Sequence, residues 1–271
     1  MPRLISILRL ARRPGGLGRK LIPRRAVRTS RLALAARLDY PLPTPQSLSA
    51  VSSAMTETSP LPSLPRLGQV APPFEAETTH GRLALEDFRG SWVVFFSHPA
   101  DFTPVCTTEF VAFARIAPAL KERGVELLGL SIDSIYAHLA WTKRIEELFG
   151  TRIPFPVIAD GDRKVATLYG MIMPEQSGTE TSRCVFVIDP TGVVRAMIYY
   201  PLTTGRNIDE ILRLVDALQT TDKHKVATPA DWRPGGKVIV PAPRTIEDAE
   251  ARAKGGYAYT DFWYCETEVK G

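Results

Sequence analysis

At 271 residues and 44% hydrophobic composition the chain has apolar mass for one substantial core plus an appendage, and no apolar run approaches the roughly 18 residues that cross a bilayer, so a membrane is not an expected partner. Three cysteines, at 106, 184 and 265, form no CxxC pair; an odd count is a poor disulfide framework and fits a reducing compartment with one or two working thiols. The formal charge of +5 comes from one end, because residues 1–54 hold eleven Lys or Arg and one acid while the remainder holds 23 basic and 28 acidic residues; the body is mildly acidic and nucleic acid is not an expected partner either.

Residues 1–64 read as a basic extension with the Pro- and Ser-rich composition of a disordered segment, shown by Pro41, Pro43 and Pro45 ahead of Ser47, Ser49, Ser52 and Ser53. Its arginines, its serines and its near lack of acids fit an organellar presequence, which implies the mitochondrial matrix. The six prolines of residues 1–54 argue against a sustained amphipathic leader helix. The other reading starts translation at Met55 and leaves a cytoplasmic protein.

From Leu67 the pattern predicts short strands near Phe74–Glu77 and Arg82–Leu85, then a buried central strand over Ser91–Ser97, which is rich in β-branched and aromatic residues. Apolar residues at Phe110, Phe113, Ile116, Ala117 and Leu120 have helical spacing. Val125–Ile132 reads as a strand, Ile135–Phe149 as a helix, Pro156–Ala159 as a short strand and Val165–Tyr169 as a helical turn. Arg183–Ile188 and Val194–Tyr199 flank Asp189-Pro190-Thr191-Gly192, a hairpin turn. A helix over Ile208–Leu218 closes an α/β domain spanning 65–220, with a mixed sheet covered on both faces. Residues 221–271 form a small C-terminal extension with a short strand at Val238–Val240 and a charged helix around Glu247–Lys254. Its aromatic tail, Tyr257, Tyr259, Phe262, Trp263, Tyr264 and Cys265, needs an apolar surface, its own or that of a second subunit.

Between the central strand and its helix lies His98-Pro99-Ala100-Asp101-Phe102-Thr103-Pro104-Val105-Cys106-Thr107-Thr108-Glu109. In open α/β sheets the crevice beyond the carboxyl ends of the strands is where ligands bind. Thr103 suits the N-cap and Pro104 the first helical position, so Cys106 falls third, where the capping hydroxyl is expected to bond its amide. The positive end of the helix dipole favours a thiolate there, provided that solvent reaches it. The plainer reading of a lone helix-start cysteine is a buried, inert one.

Read as P-x-x-x-T-x-x-C, the run from Pro99 through Thr103 to Cys106 resembles the active-site signature of peroxiredoxins. Phe96-Ser97-His98-Pro99 ahead of Asp101–Cys106 is similar to their one-cysteine, peroxiredoxin 6-like branch. The resemblance continues at Arg183, Tyr200-Pro201, Thr203–Asn207, Val226–Pro229 and Asp231-Trp232, from Leu67 to Cys265 in all. The tail from Tyr257 to Cys265 is similar to that of archaeal and bacterial long-tailed thioredoxin peroxidases. This resemblance implies a thioredoxin fold and a thiol peroxidase that needs no cofactor, neither metal nor haem. Hydrogen peroxide and organic hydroperoxides would be reduced through a cysteine sulfenic acid, with a thioredoxin-like protein or glutathione as reductant and a homodimer or decamer as the assembly.

On the same resemblance Cys106 is the peroxidatic nucleophile. Fully ionising a thiol of ordinary acidity gains at most about 30-fold at neutral pH, so large acceleration requires groups that hold the peroxide and its developing charge. Arg183 heads a strand, where a charge is costly without a partner, and its fan of donors suits a thiolate and a peroxide oxygen together. The resemblance gives Thr103 the orienting of the peroxide and Pro99 the shielding of the sulfur. Arg206 matches a second family arginine that braces Arg183 or Glu109, Glu109 reads as an orienting partner rather than a proton donor, and His98 as part of a hydrogen-bond network. Strand alternation turns Cys184 away from Arg183, into the core. Cys265 stands where long-tailed relatives carry the cysteine that resolves a neighbouring subunit's sulfenic acid; if it is inert, an external thiol must do so.

Two other classes compete. A thioredoxin-fold holdase or scaffold would make the cysteine incidental. A phospholipase would need G-x-S-x-G, but Arg89-Gly90-Ser91-Trp92-Val93 lacks the second glycine and Glu86 stands where histidine is expected. The four histidines, at 80, 98, 138 and 224, show no metal-ligand spacing.

Overall fold

The computed structural model describes residues 64–254 and 258–269. The expectations for residues 1–54, for a start at Met55 and for the side chains of Tyr257 and Tyr259 lie outside what it describes.

The apolar run after Ser91 forms β3 (Trp92–Ser97), in which every residue is buried. A strand covered on both faces has no use for alternating polarity, and this one has none. It lies between β4 (Val125–Ser131), parallel to it, and β6 (Arg183–Ile188), antiparallel. β5 (Val157–Ala159) continues the parallel half, and β7 (Val194–Tyr200) folds back on β6 across the turn at Asp189. There the Asp189 carboxylate accepts from the amides of Thr191 and Val193, and Gly192 takes the left-handed φ of 81° that the turn requires. A hairpin of β1 (Glu75–Thr78) and β2 (Gly81–Ala84) completes a seven-stranded mixed sheet in the order β2-β1-β5-β4-β3-β6-β7. Leu85, expected in the second strand, instead opens a 3-10 turn over Leu85–Phe88, where the Asp87 carboxylate accepts from the Ala84 amide.

Helices cover both faces, and strand alternation decides what each covers. Val94, Phe96, Val185 and Val187 pack with α1 (Pro104–Glu122), α2 (Ile135–Phe149) and α4 (Ile208–His224). Val93, Phe95, Cys184 and Phe186 pack on the other side with Tyr169 and with Val165 of α3 (Lys164–Leu168). Arg183 shares the parity of Val185, so β6 aims it at the face where α1 lies. α2 has the predicted limits: the Ser134 hydroxyl caps it by accepting from the Ala137 amide, and Gly150 ends it in the left-handed region at φ 63°. α4 runs past the predicted Leu218 to His224, with Lys223 and His224 in its last turn complementing the helix dipole.

The C-terminal extension holds β8 (Val238–Ile239), α5 (Ile246–Ala253), β9 (Ala258–Asp261) and β10 (Tyr264–Thr267), with an antiparallel sheet ordered β8-β10-β9. The aromatic tail is therefore a hairpin, too short for sequence periodicity to announce. Its turn exposes Phe262 and Trp263, while Cys265 is buried within β10. Trp232 joins the extension to α4 by packing on Ala217 and Val238 and by accepting at its carbonyl from Arg213. Among the described residues no helix is long and apolar enough to cross a membrane.

Candidate active site around Cys106

The loop between β3 and α1 reverses at Phe102, a bulky residue with a φ of 56°. Such a conformation costs about 1–3 kcal/mol and persists only where the surroundings fix it. Asp101 supplies the fixing: its carboxylate is buried and its amide donates to Asp133 Oδ2 at 3.0 Å. Pro104 then opens α1, placing Cys106 on its first turn as predicted.

One expectation fails here. Thr103 is the N-cap residue by backbone conformation, yet its hydroxyl does not bond the Cys106 amide; it donates to the Ala100 carbonyl at 2.9 Å, which the reversal at Phe102 brings beneath it. With its only proton spent, the Thr103 oxygen is left as an acceptor. A second expectation also needs correcting. The thiolate was conditional on solvent reaching the sulfur, but Cys106 is 0% exposed and Pro99 is buried as well, while Thr103 and Val105 keep partial exposure.

Beside the sulfur and Glu109, one helical turn further on, the structure gathers two arginines that are remote in sequence. Arg183 Nη1 donates to Cys106 Sγ at 3.3 Å and to Glu109 Oε2 at 2.7 Å. Nε and Nη2 both donate to the Leu202 carbonyl, at 3.0 and 2.7 Å, which fixes the plane of the guanidinium. Four of its five N–H groups are thereby engaged, and the remaining Nη2 N–H has no partner among the described residues. Arg206 grips Glu109 through its amide, Nε and Nη2 at 2.9, 3.0 and 2.7 Å, and spends Nη1 on the carbonyls of Ser97 and Cys184. Its guanidinium also lies over the rings of Phe96 and Phe113. Glu109 accepts four hydrogen bonds, the capacity of a carboxylate, so it orients the arginines and has no lone pair for substrate. All three charged groups are buried.

His98 enters the predicted hydrogen-bond network. Its Nε2 lies 2.8 Å from Asp101 Oδ1, and Asp101 Oδ2 lies 2.7 Å from Nδ1 of His138 on α2. These are hydrogen-bond separations, and an ion among the three residues would have to break them. Burial holds the His98 imidazole below the usual histidine range, against the pull of Asp101. Burial raises the Asp101 carboxyl, but the hydrogen bonds from His138 and His98 outweigh it and hold the group below the usual carboxylate range. Sequence reading missed Asp101, His138 and Leu202 as parts of the site. His138 carried a signal, since with Trp141 and Ile145 it shares the apolar face of its helix.

The other two thiols stand apart. Cys184 is core, as expected, and burial pushes its thiol up to about 12. Cys265 lies in the C-terminal sheet, with its Sγ 3.8 Å from the Asp261 carbonyl.

Comparison with known proteins agrees with this fold. Residues 67–197 match the AhpC/TSA family and residues 217–256 match the C-terminal domain of 1-Cys peroxiredoxin. A peroxiredoxin of Aquifex aeolicus is 58% identical over 218 residues, covering 76% of this chain and 98% of its own length. One from Nanoarchaeum equitans is 52% identical over 220 residues, covering 75% and 99%. The solved structure of a yeast mitochondrial 1-Cys peroxiredoxin, described as resolved via glutathione/thioredoxin systems, superposes with a TM-score of 0.68 at 41% identity, covering 75% of this chain and 99% of that one. A thioredoxin-fold sheet with a cysteine on the first turn of one helix and a strand-borne arginine against its sulfur has the make-up of a thiol peroxidase, and these likenesses are all to peroxiredoxins. The chain belongs to the peroxiredoxin family. Hydroperoxides are its substrates and a thiol is its reductant; the holdase reading is not favoured.

Proposed function

We propose that Cys106 is the peroxidatic residue and that Arg183 and Thr103 are the groups that make it fast. The observation that carries the reading is the 3.3 Å contact between Arg183 Nη1 and Cys106 Sγ. Two guanidiniums and one carboxylate leave a buried positive charge that an anionic sulfur balances. The sulfur attacks one peroxide oxygen, the O–O bond breaks, and the attacked oxygen stays on sulfur as sulfenic acid while the other departs as hydroxide or alkoxide. The uncommitted Nη2 N–H of Arg183 meets the oxygen that gains charge, and the Thr103 oxygen accepts from the peroxide O–H. Because the sulfur is fully covered, a peroxide enters by a small opening of the loop on the side of Thr103, and Pro99 keeps bulk water away. Arg206 and Glu109 act through Arg183.

Cys265, carried in the tail, is proposed as the resolving thiol for a neighbouring subunit. Assembly into dimers, and from dimers into a decamer, is supported by two separate apolar surfaces: Phe262 with Trp263 on the C-terminal hairpin, and a groove lined by Phe102, Trp141, Ile145, Leu148 and Phe149. Three buried free cysteines support a reducing, cytoplasmic setting.

The test is chemical trapping. In the Cys265→Ser variant, where no tail thiol can consume the intermediate, a sulfenic-acid reagent added with one equivalent of hydrogen peroxide and followed by peptide mass mapping is expected to label Cys106 and not Cys184, and Cys106→Ser is expected to be unlabelled and inactive. Labelling at Cys184 there, or at Cys265 in Cys106→Ser, would overturn the assignment.

A further inference from the structure

A count of protons around Asp101 leads beyond the peroxidatic centre. His138 is fully buried and each of its ring nitrogens faces an oxygen: Nδ1 lies 2.7 Å from Asp101 Oδ2, and Nε2 lies 3.1 Å from the Ile158 carbonyl. A carbonyl has no proton to give, so Nε2 must carry one. The contact at Nδ1 also needs a proton, held by the imidazole or by the carboxyl. His98 needs only one: its Nε2 donates to Asp101 Oδ1, while its Nδ1 is buried without a partner, a place that tolerates a bare lone pair better than an unsatisfied N–H. The other charged group near the cluster is Asp133, which accepts from the Asp101 amide and the Ser131 hydroxyl and adds negative potential. Asp101 thus receives two hydrogen bonds on its carboxylate in a setting that favours a cation opposite it.

We propose that His138 is a positioning residue: it carries a proton on each ring nitrogen and, as a buried imidazolium against the Asp101 carboxylate, holds the loop from His98 to Thr103 in its working shape. Asp101 immediately precedes Phe102, whose left-handed backbone needs an anchor, and Thr103 follows directly. The ring of His138 is anchored on a different element, since α2 carries it and the carbonyl of Ile158 in β5 receives its second proton. The pair therefore ties the active-site loop to the sheet, and its net charge is zero while that proton stays. Taking it away leaves an uncompensated buried carboxylate, which breaks such sites far more than never having had the pair.

The role rests on the peroxidase reading, but its first test does not. The chain has four histidines, so selective 15N labelling of the full protein gives a spectrum simple enough to read, with His138 assigned by its loss in His138→Gln. At pH 7 the reduced protein is expected to show both His138 nitrogens protonated and His98 protonated at Nε2 only. A bare Nδ1 on His138 at pH 7 would overturn the proposal whatever the enzyme does with peroxide. The second test is stopped-flow reaction of Cys106 with hydrogen peroxide. His138→Leu is expected to slow it at least tenfold, and His138→Leu with Asp101→Asn, which removes the stranded charge, is expected to recover at least threefold of that loss. A double variant no faster than the single one would reject the charge pairing and leave only lost packing. If the leucine variant does not fold, the spectrum of the unmodified chain still decides.

Discussion

One nitrogen of Arg183 joins the nucleophile to a buried acid: Nη1 stands 3.3 Å from Cys106 Sγ and 2.7 Å from Glu109 Oε2. A point charge on a flexible stem cannot meet both while two more donors hold the Leu202 carbonyl. Arg183→Lys is therefore expected to lower the second-order rate with hydrogen peroxide by about 100- to 1000-fold, the range for losing one aimed donor. Stopped-flow kinetics measures it, with circular dichroism to check the fold, and a loss under tenfold would count against the role.

Thr103 acts through its lone pairs, since its hydroxyl proton is donated to the Ala100 carbonyl. Thr103→Val removes the acceptor and is expected to cost about 1.5–3 kcal/mol in kcat/KM, roughly 10- to 100-fold, whereas Thr103→Ser keeps most of the activity. Activity kept in Thr103→Val and lost in Thr103→Ser would mean that the methyl group, not the oxygen, matters.

Glu109 neutralises one of two buried guanidiniums. Glu109→Gln leaves both without their counter-charge and is expected to destabilise the fold by about 3–5 kcal/mol, seen as a lower urea midpoint at unchanged slope. A midpoint shift near zero would show that the cluster is solvated in solution.

His98 makes stability depend on pH. Its folded value lies below the ordinary 6.5, so between the two values the unfolded chain binds the extra proton. The His98 contribution is complete above about pH 6.5 and is lost as pH falls below it, with a slope of at most about 1.4 kcal/mol per unit from one group. Asp101 is held low and so adds a loss of the same sign at more acid pH. Urea unfolding at pH 7.5, 6.5 and 5.5 should give falling midpoints, and His98→Asn should flatten the decline.

Cys265 is buried in β10 and reaches another subunit's sulfur only if its hairpin lets go. A non-reducing gel after one equivalent of peroxide is expected to show a covalent dimer that vanishes in Cys265→Ser. A monomer in both lanes would assign resolution to an external thiol.

Much of this was legible from residues alone, for reasons that differ by element. β3 and β6 are apolar runs apart from Ser97 and Arg183 at one end of each, and α2 has a serine at one end and a glycine at the other, so their positions followed from short-range chemistry. The parity of Arg183 and Cys184 followed from the pleat. What could not be read was long-range. Nothing in the sequence says that Leu202 will offer its carbonyl to Arg183, or that His138 will meet Asp101 across 37 positions. The Thr103 cap was misjudged because a local rule competed with the reversal at Phe102, which the loop's buried anchor imposes. The terminal hairpin was missed because four-residue strands carry almost no periodic signal.

With all four lone pairs of Glu109 occupied and the Thr103 proton committed, no acid among the described residues is aimed at the departing oxygen. A leaving alkoxide must exit as an anion, comforted by a guanidinium alone and protonated only by water. Turnover of a graded set of alkyl hydroperoxides should then climb steeply as the alcohol released becomes more acidic, because the enzyme does nothing to level their basicity.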